Sequence, residues 1–326
     1  MTLPLPYPIV RIGLIGECMV ELQSTLNGHL VQKFGGDTLN TGVYMRRLLR
    51  DEKVQLDYLT AVGNDQLSSA MRAHWRKEGV GDDKVRVLPD RHPGIYLIQT
   101  DEFGERRFLY WRSESAAKEC FDGPEADSLL SSLSEYQLLY LSGITLAILS
   151  DHGRERLFDG LQKARSTGTV VAFDNNYRQR LWRDSVIARD THRRMLQLSD
   201  FALVTWEDDV ALFGFADESS LFACYADLGV PEVVLKRGAK SCLIGTSQGR
   251  REIPSDWVKD VLDTTAAGDS FSAGYLACRL QGGSIDTAAR WGHRLAATVI
   301  QHPGAIIPNS LMPAMPAIYC PVTSYA

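Results

Sequence analysis

From Leu138 onward the chain alternates short apolar runs with helical stretches, and this alternation restricts its fold more than any other feature. The runs occupy 138–141, 169–173, 201–205, 233–236 and 241–244, with helical segments such as 151–166 and 217–228 between them. A strand, a helix and a second strand in succession require a crossover, so the strands lie parallel in a sheet covered on both faces. Continuous apolar runs suit strands buried on both sides. Near the C-terminus, Ala288, Trp291, Leu295 and Val299 recur at helical spacing and read as core.

The N-terminal third breaks this rhythm. Strand-like segments 19–26 and 29–34 flank Asn27-Gly28, a dipeptide that supplies the positive φ of a tight hairpin. Segments 94–100 and 106–111 flank a second turn, Asp-Glu-Phe-Gly-Glu. Two hairpins among α/β units predict a small separate sheet over the C-terminal edge of the main one, where α/β proteins bind ligands. An antiparallel extension of the main sheet is the alternative. A lid drawn from both sides of a helix leaves no clean linker. One domain is therefore expected over 1–310, with a lid from about 17–34 and 94–118, followed by a Pro-containing tail at 311–326. Pro303, Pro308, Pro313, Pro316 and Pro321 exclude a long helix there, leaving an extended strap or a partly disordered tail.

The 35 basic and 40 acidic residues give a net charge of -5, which provides no global field for nucleic acid or an anionic membrane. No uncharged apolar run reaches the roughly 18 residues of a membrane span. The opening MTLPLPYPIV reads as a Pro-rich lead into a strand rather than a signal peptide. Six scattered cysteines, with no C-x-x-C pair, suit buried thiols in a reducing cytosol, so a cytoplasmic location is expected.

Chemistry is concentrated in Asp263-Thr-Thr-Ala-Ala-Gly-Asp269-Ser-Phe. Phe271, Tyr275 and Cys278 then recur on one helix face, placing Ala266, Ala267 and Gly268 at a helix start. Such a start exposes unpaired N–H groups and the positive end of the helix dipole, and small side chains let an anion approach them. A carboxylate beside an anion hole makes sense if Asp269 takes a proton from a hydroxyl that attacks phosphorus. The alternative is an ordinary helix cap. Near the N-terminus, Gly35-Gly36-Asp37-Thr-Leu-Asn40-Thr-Gly42 combines close backbone approach with side chains that bond sugar hydroxyls; a Gly-Gly turn with an Asp N-cap is equally compatible.

GGDTLNTG and DTTAAGDSFSAGYL, in this order and at this separation, resemble the two signatures of the ribokinase-like PfkB carbohydrate kinases. The resemblance runs from about Ile12 to Pro308. The sequence departs from the commonest form at Ala266, where the family has Gly; slightly less room in the anion hole is expected. The resemblance implies a three-layer α/β/α fold with a mostly parallel sheet and a small β-sheet lid. It further implies an ATP- and Mg2+-dependent kinase in which Asp269 is the base and Ala266, Ala267 and Gly268 form the anion hole. Where the family places N-x-x-E for metal and water, this chain has Thr205-Trp-Glu207-Asp208, so Asp208 takes the metal-related position, with a solvated acidic helix start as the alternative. The nucleotide is expected along Lys236, Arg237, Gly238, Thr264 and Gly268, with adenine near Ala296 and Gly304.

Three features bear on the acceptor. Phe108, Tyr110 and Arg112 alternate onto one strand face, Tyr96 lies on the partner strand, and Arg178 follows Asp174-Asn-Asn176 at the end of a buried strand. A neutral sugar needs no arginine pair, whereas a sugar acid does, because a carboxylate accepts paired guanidinium hydrogen bonds. A solvated strand-end charge for Arg112, and a salt bridge such as one to Asp174 for Arg178, are the alternatives. Together these residues resemble the 2-keto-3-deoxygluconate kinase branch of the family. That resemblance implies Arg112 and Arg178 at the carboxylate end, Tyr96 and Tyr110 at the keto-acid end, and Gly35, Gly36 and Asn40 at the chain hydroxyls. The C6 hydroxyl would face Asp269, and a homo-oligomer, dimer or higher, would be usual.

A P-loop ATPase is excluded because Gly238-Ala-Lys240-Ser lacks the Gly-Lys pair, and Ile12-Gly-Leu-Ile-Gly16-Glu is no dinucleotide fingerprint. A fructokinase or a 2-keto-3-deoxygalactonate kinase are the rival enzymes. A non-catalytic sugar sensor is the rival from another class, although it would have no need of Asp269.

Overall fold

The computed structural model describes residues 11–24, 28–50, 53–100 and 106–318. The chain opens with β1 (Arg11–Ile15), the hairpin β2 (Met19–Ser24) and β3 (Leu30–Gly35), α1 (Asp37–Leu48), β4 (Gln55–Leu59) and the short β5 (Ala61–Gly63). Helix α2 (Gln66–Lys77), the short β6 (Arg86–Leu88) and the hairpin β7 (Ile95–Thr100) and β8 (Arg106–Trp111) follow. Next come α3 (Asp127–Ser132), β9 (Leu138–Ser142), α4 (Gly143–Ile148), α5 (Asp151–Ser166), β10 (Val170–Asp174), α6 (Ser185–Gln197) and β11 (Phe201–Thr205). The last part holds α7 (Trp206–Phe213), α8 (Glu218–Asp227), β12 (Glu232–Lys236), β13 (Cys242–Thr246), β14 (Gly249–Ile253), α9 (Ala267–Leu280) and α10 (Ile285–Val299).

The main sheet has the order β14-β13-β12-β11-β10-β9-β1-β4. Its strands are parallel from β12 to β4, and β13 and β14 run antiparallel at the edge. The run at 241–244 was expected to continue the crossover pattern, but the turn between Lys236 and Cys242 is too short to hold a crossover, so β13 returns as a hairpin. Alternate residues of β1 enter different cores. Ile12 and Leu14 join the layer with α1, α9 and α10, and Ile15 joins the layer with α5 and α6. Burying each such side chain contributes about 1.5–3 kcal/mol.

The hairpins form one four-stranded sheet, β3-β2-β7-β8, in which β2 and β7 pair parallel. It is a sheet of its own, not an extension of the main one. Only Gly16, Glu17 and Cys18 separate β1 from β2, so it is rooted at the C-terminal end of a central strand. The turn tips 25–27 and 101–105 lie outside the described residues, as do the N-terminal lead and Cys320. The other five cysteines carry free thiols.

Two contacts fix α9, which carries Asp269. Gly274 lets α10 pack close, since a Cβ there would lie 2.8 Å from the Trp291 carbonyl oxygen. Within the core, Arg279 makes paired bonds to Glu232 (Nε to Oε1 3.0 Å, Nη2 to Oε2 2.9 Å), and Tyr275 donates to the same carboxylate at 2.6 Å. Helix and strand β12 are thereby locked in register. The proline-containing segment after α10 is an ordered strap as far as residue 318: the Tyr44 hydroxyl donates to Ala305 O at 2.8 Å, and the Trp291 indole N–H donates to Pro316 O at 2.8 Å. Among the described residues, no helix is long and apolar enough to cross a membrane.

Candidate active site

Asp263 shapes the approach to α9. Its Oδ1 accepts from the N–H and hydroxyl of Thr265 (3.0 and 2.7 Å), and its Oδ2 accepts from Gly304 N at 2.6 Å. The chain then passes through Ala266 at φ 60, ψ 17 and enters the helix. A left-handed conformation costs a residue with a Cβ about 1 kcal/mol. The difference from a glycine at this position therefore lies in backbone strain, where reduced room had been expected. Ala267 N donates to Thr264 O at 3.2 Å. Gly268 and Asp269, the next helical positions, have N–H groups with no intrahelical acceptor. Lys236 Nζ lies 3.5 Å from where a Cβ on Gly268 would sit. A helix start and an ammonium thus converge on one point, as an anion site requires.

Asp269 does not cap its own helix; Ala266 holds the N-cap position, without a side-chain cap. Its Oδ2 instead accepts from Asn40 Nδ2 at 2.9 Å, and its carbonyl accepts from the Thr41 hydroxyl at 3.3 Å, joining α1 to α9. Burial pushes the Asp269 carboxyl up to about 7, the nearby Asp37 and Asp174 add to this, and Asn40 and Lys236 oppose it. A base near neutrality suits proton transfer at cellular pH. The other amide atom of Asn40, Oδ1, is buried with no hydrogen-bond donor among the described residues.

The C-terminal ends of the parallel strands complete the floor. Lys236 on β12 bonds Asp174 on β10 at 2.7 Å, and the Ser272 hydroxyl donates to the same carboxylate oxygen at 2.9 Å. Asp174 is therefore not the partner of Arg178. Arg178 Nη1 instead reaches both Asp208 oxygens at 3.2 Å and the Tyr177 carbonyl at 2.9 Å. Burial raises the Asp208 carboxyl, and Arg178 opposes that rise. Arg237 does not extend toward the anion site; it binds Glu218 and Glu252, both at 2.6 Å. Gly238 lies in the turn after β12, Thr264 is exposed beside the anion site, and Ala296 is half-buried on α10.

The small sheet supplies the opposite wall. Arg112 is not a solvated strand-end charge: it is mostly buried and paired with Glu17, whose other oxygen accepts from the Ser115 hydroxyl. Tyr96 donates its proton to Glu21, so its oxygen remains free to act only as an acceptor. Tyr110 stacks on Tyr96 (centroids 5.8 Å apart) and lies under the Arg180 guanidinium at 4.3 Å. Gly35 touches the Tyr96 hydroxyl, since a Cβ there would lie 2.7 Å from it. Gly36 admits no side chain, because a Cβ would lie 2.2 Å from the Glu17 carbonyl oxygen. Asp37 is the first residue of α1, with Gly36 at the N-cap position.

Several residues at the site had no binding or catalytic role assigned from the sequence, although Asp37, Asp174 and Asn176 lie within the motifs quoted above. Asp37 accepts from Asn176 Nδ2 at 2.7 Å, and Asn176 holds a positive φ of 26. Strain of this kind clusters at functional sites. Asp174, Ser272, Glu17, Glu21 and Ser115 also belong to this group. Glu17 and Glu21, carboxylates in an otherwise apolar strand entry, were the visible signal for the last three.

A carboxylate, a helix start, an ammonium and a floor of strand ends thus meet at one point. The model of the pfkB family carbohydrate kinases matches residues 11–312. The chain belongs to the pfkB family of carbohydrate kinases. This pfkB kinase is 46% identical over 307 residues to the 2-dehydro-3-deoxygluconokinase of Dickeya dadantii (strain 3937), covering 93% of this chain and 99% of that protein. It is 45% identical over 307 residues to the 2-dehydro-3-deoxygluconokinase of Escherichia coli (strain K12), with the same coverage of 93% and 99%. Among solved structures, aminoimidazole riboside kinase from Salmonella enterica, complexed with aminoimidazole riboside and an ATP analog, superimposes with a TM-score of 0.78. It shares 22% identity and covers 92% of this chain and 98% of that one, a likeness of fold.

Proposed function

We propose that this pfkB kinase transfers the γ-phosphoryl group of ATP to the C6 hydroxyl of 2-keto-3-deoxygluconate, giving the 6-phosphate and ADP. The observation that carries the reading is the shared helix start: the Asp269 carboxylate stands beside the unpaired N–H groups of Gly268 and Asp269 and the Lys236 ammonium. A group that only held phosphate would gain nothing from this carboxylate, whereas an attacking hydroxyl needs its proton accepted. Asp269 takes that proton as the substrate oxygen bonds to phosphorus and the ADP oxygen departs. The N–H groups and Lys236 balance the charge on the transferring phosphoryl group. Asn40 Oδ1, buried without a donor among the described residues, is suited to accept from a substrate hydroxyl next to the base. Arg112 and Arg178 hold the carboxylate. Tyr96, whose proton is committed to Glu21, contributes an acceptor, so its partner is a substrate hydroxyl rather than the keto oxygen. Closure of the small sheet excludes water, the competing acceptor. Adenine lies toward Ala296 and Gly304.

Mg2+ on a nucleotide keeps several waters and needs only one or two carboxylates. Among the described residues no group of three His, Cys, Asp or Glu side chains could hold a metal. Asp208, a single carboxylate whose two oxygens also meet Arg178 Nη1 at 3.2 Å, fits a phosphate-borne ion and not a self-contained protein cage. Asp208 would hold the ion, which would supply neutralisation of phosphate charge.

The relatives at 45–46% identity carry the same named activity and support this substrate over fructose. Arg112→Ala and Arg178→Ala test it. Each removes a hydrogen-bonded charge worth about 1.5–3 kcal/mol, so KM for the sugar acid should rise roughly tenfold or more while KM for ATP stays within about twofold. Unchanged sugar-acid KM in both variants would reject a carboxylate substrate.

A further inference from the structure

Glu17 has no place in the mechanism above, yet it is among the most enclosed carboxylates of the small sheet's root. Its side chain is 1% exposed. Three segments surround it. One carboxylate oxygen takes a hydrogen bond from Arg112 Nη2 at the end of β8, and the other takes one from the Ser115 hydroxyl. Gly94, entering β7, packs against the carboxylate so closely that a Cβ would lie 2.7 Å from Oε1. A buried carboxylate is tolerated only when paired and hydrogen-bonded, and both conditions are met.

The pairing does not exhaust Arg112. A guanidinium carries five N–H donors in a rigid fork. Arg112 Nε is buried with no acceptor among the described residues. The residue also borders a cavity of about 590 Å3, shared with Ile148, Arg154 and Trp182. Glu17 therefore fixes one nitrogen of a long side chain that would otherwise sample many rotamers, and the donor capacity left over calls for a second acceptor. Arg178 is built in the same way: Asp208 and the Tyr177 carbonyl hold Nη1 alone.

We propose that Glu17 is a positioning residue for the carboxylate of the substrate. It orients Arg112 before the sugar acid arrives, and Ser115 holds Glu17 in turn. The sugar acid then meets a preset fork and does not bear the entropic cost of ordering it. This rests on the reading of Arg112 as a carboxylate ligand given above.

Calorimetric titration of the full chain with 2-keto-3-deoxygluconate, without nucleotide, tests the proposal. Glu17→Gln should weaken binding at least about tenfold, and Ser115→Ala, which leaves the ion pair in place, about threefold. In an Arg112→Ala background neither change should weaken it further, because the group they orient is gone. A merely structural tie at the sheet root would instead add its loss in either background. ADP affinity, measured alongside, should stay within about twofold and shows that each variant is folded; should Glu17→Gln fail that control, Ser115→Ala carries the test. Wild-type-like affinity in the folded Glu17 and Ser115 variants, or full additivity with Arg112→Ala, overturns the positioning role. If Arg112→Ala itself binds normally, the carboxylate-ligand reading falls, and the role of Glu17 with it.

Discussion

Asp269→Asn separates chemistry from stability within one side chain. The amide keeps the shape and can still accept from Asn40, but it cannot take a proton, so turnover should fall by about 10^2–10^4. Stability should move the other way. Burial and neighbouring carboxylates raise the Asp269 carboxyl from 3.8 to about 7, which makes its ionised form unfavourable in the fold. That difference corresponds to roughly 4 kcal/mol at full ionisation. The sign follows from linkage: between pH 4 and 7 the folded state binds more protons than the unfolded state, so wild-type stability falls as pH rises. The variant escapes this loss. Its advantage should be complete above pH 7, fall below half near pH 5 and vanish below about pH 4. For a chain of this length, about 4 kcal/mol is a Tm gain of roughly 6 °C. Thermal unfolding at pH 8 and pH 5, alongside ADP release, measures both effects. An Asn variant that keeps its turnover refutes the base, and one no more stable than wild type at pH 8 refutes the electrostatic account.

The same shift sets the pH profile: kcat/KM for the sugar acid should rise with pH and level off above about 7, because the base works deprotonated; a profile flat from pH 5 to 8 would contradict this. Arg279→Met leaves Glu232 buried without its cation and should cost about 3–5 kcal/mol, read from denaturant unfolding. Gly36→Ala puts a methyl group against the Glu17 carbonyl; the displaced α1 should take Asn40 away from Asp269 and lower kcat about tenfold or more, with ATP affinity little changed.

The architecture was readable because its causes are local. Apolar runs and helical spacing name the parallel sheet, and Asn27-Gly28 with the second turn names the hairpins. The register of β2 against β7 was not readable, since a parallel pair joins segments some seventy residues apart and no turn chemistry specifies it. Asp269 was visible as a candidate base because small residues and a helix start surround it in sequence. Its partners were not, because Asn40, Asp37 and Asp174 reach it through tertiary packing alone. The fate of each arginine was hidden for the same reason. Arg112 meets Glu17, Arg178 meets Asp208 and Arg237 turns to Glu218, in each case across a long sequence separation or around a turn whose direction only the fold decides. Ala266 was recognised as a departure, but its consequence, a left-handed backbone, is a conformation and not a composition.

The proposed reaction pairs Asp269 with a sugar-acid acceptor. The most direct test compares kcat/KM for ATP-dependent ADP release with 2-keto-3-deoxygluconate, 2-keto-3-deoxygalactonate, fructose, ribose and a nucleoside. The arginine pair proposed for the acceptor's carboxylate end predicts that 2-keto-3-deoxygluconate exceeds the neutral acceptors by at least about 100-fold, with the phosphate on its C6 oxygen. Equal or faster turnover of fructose, ribose or the nucleoside would contradict it.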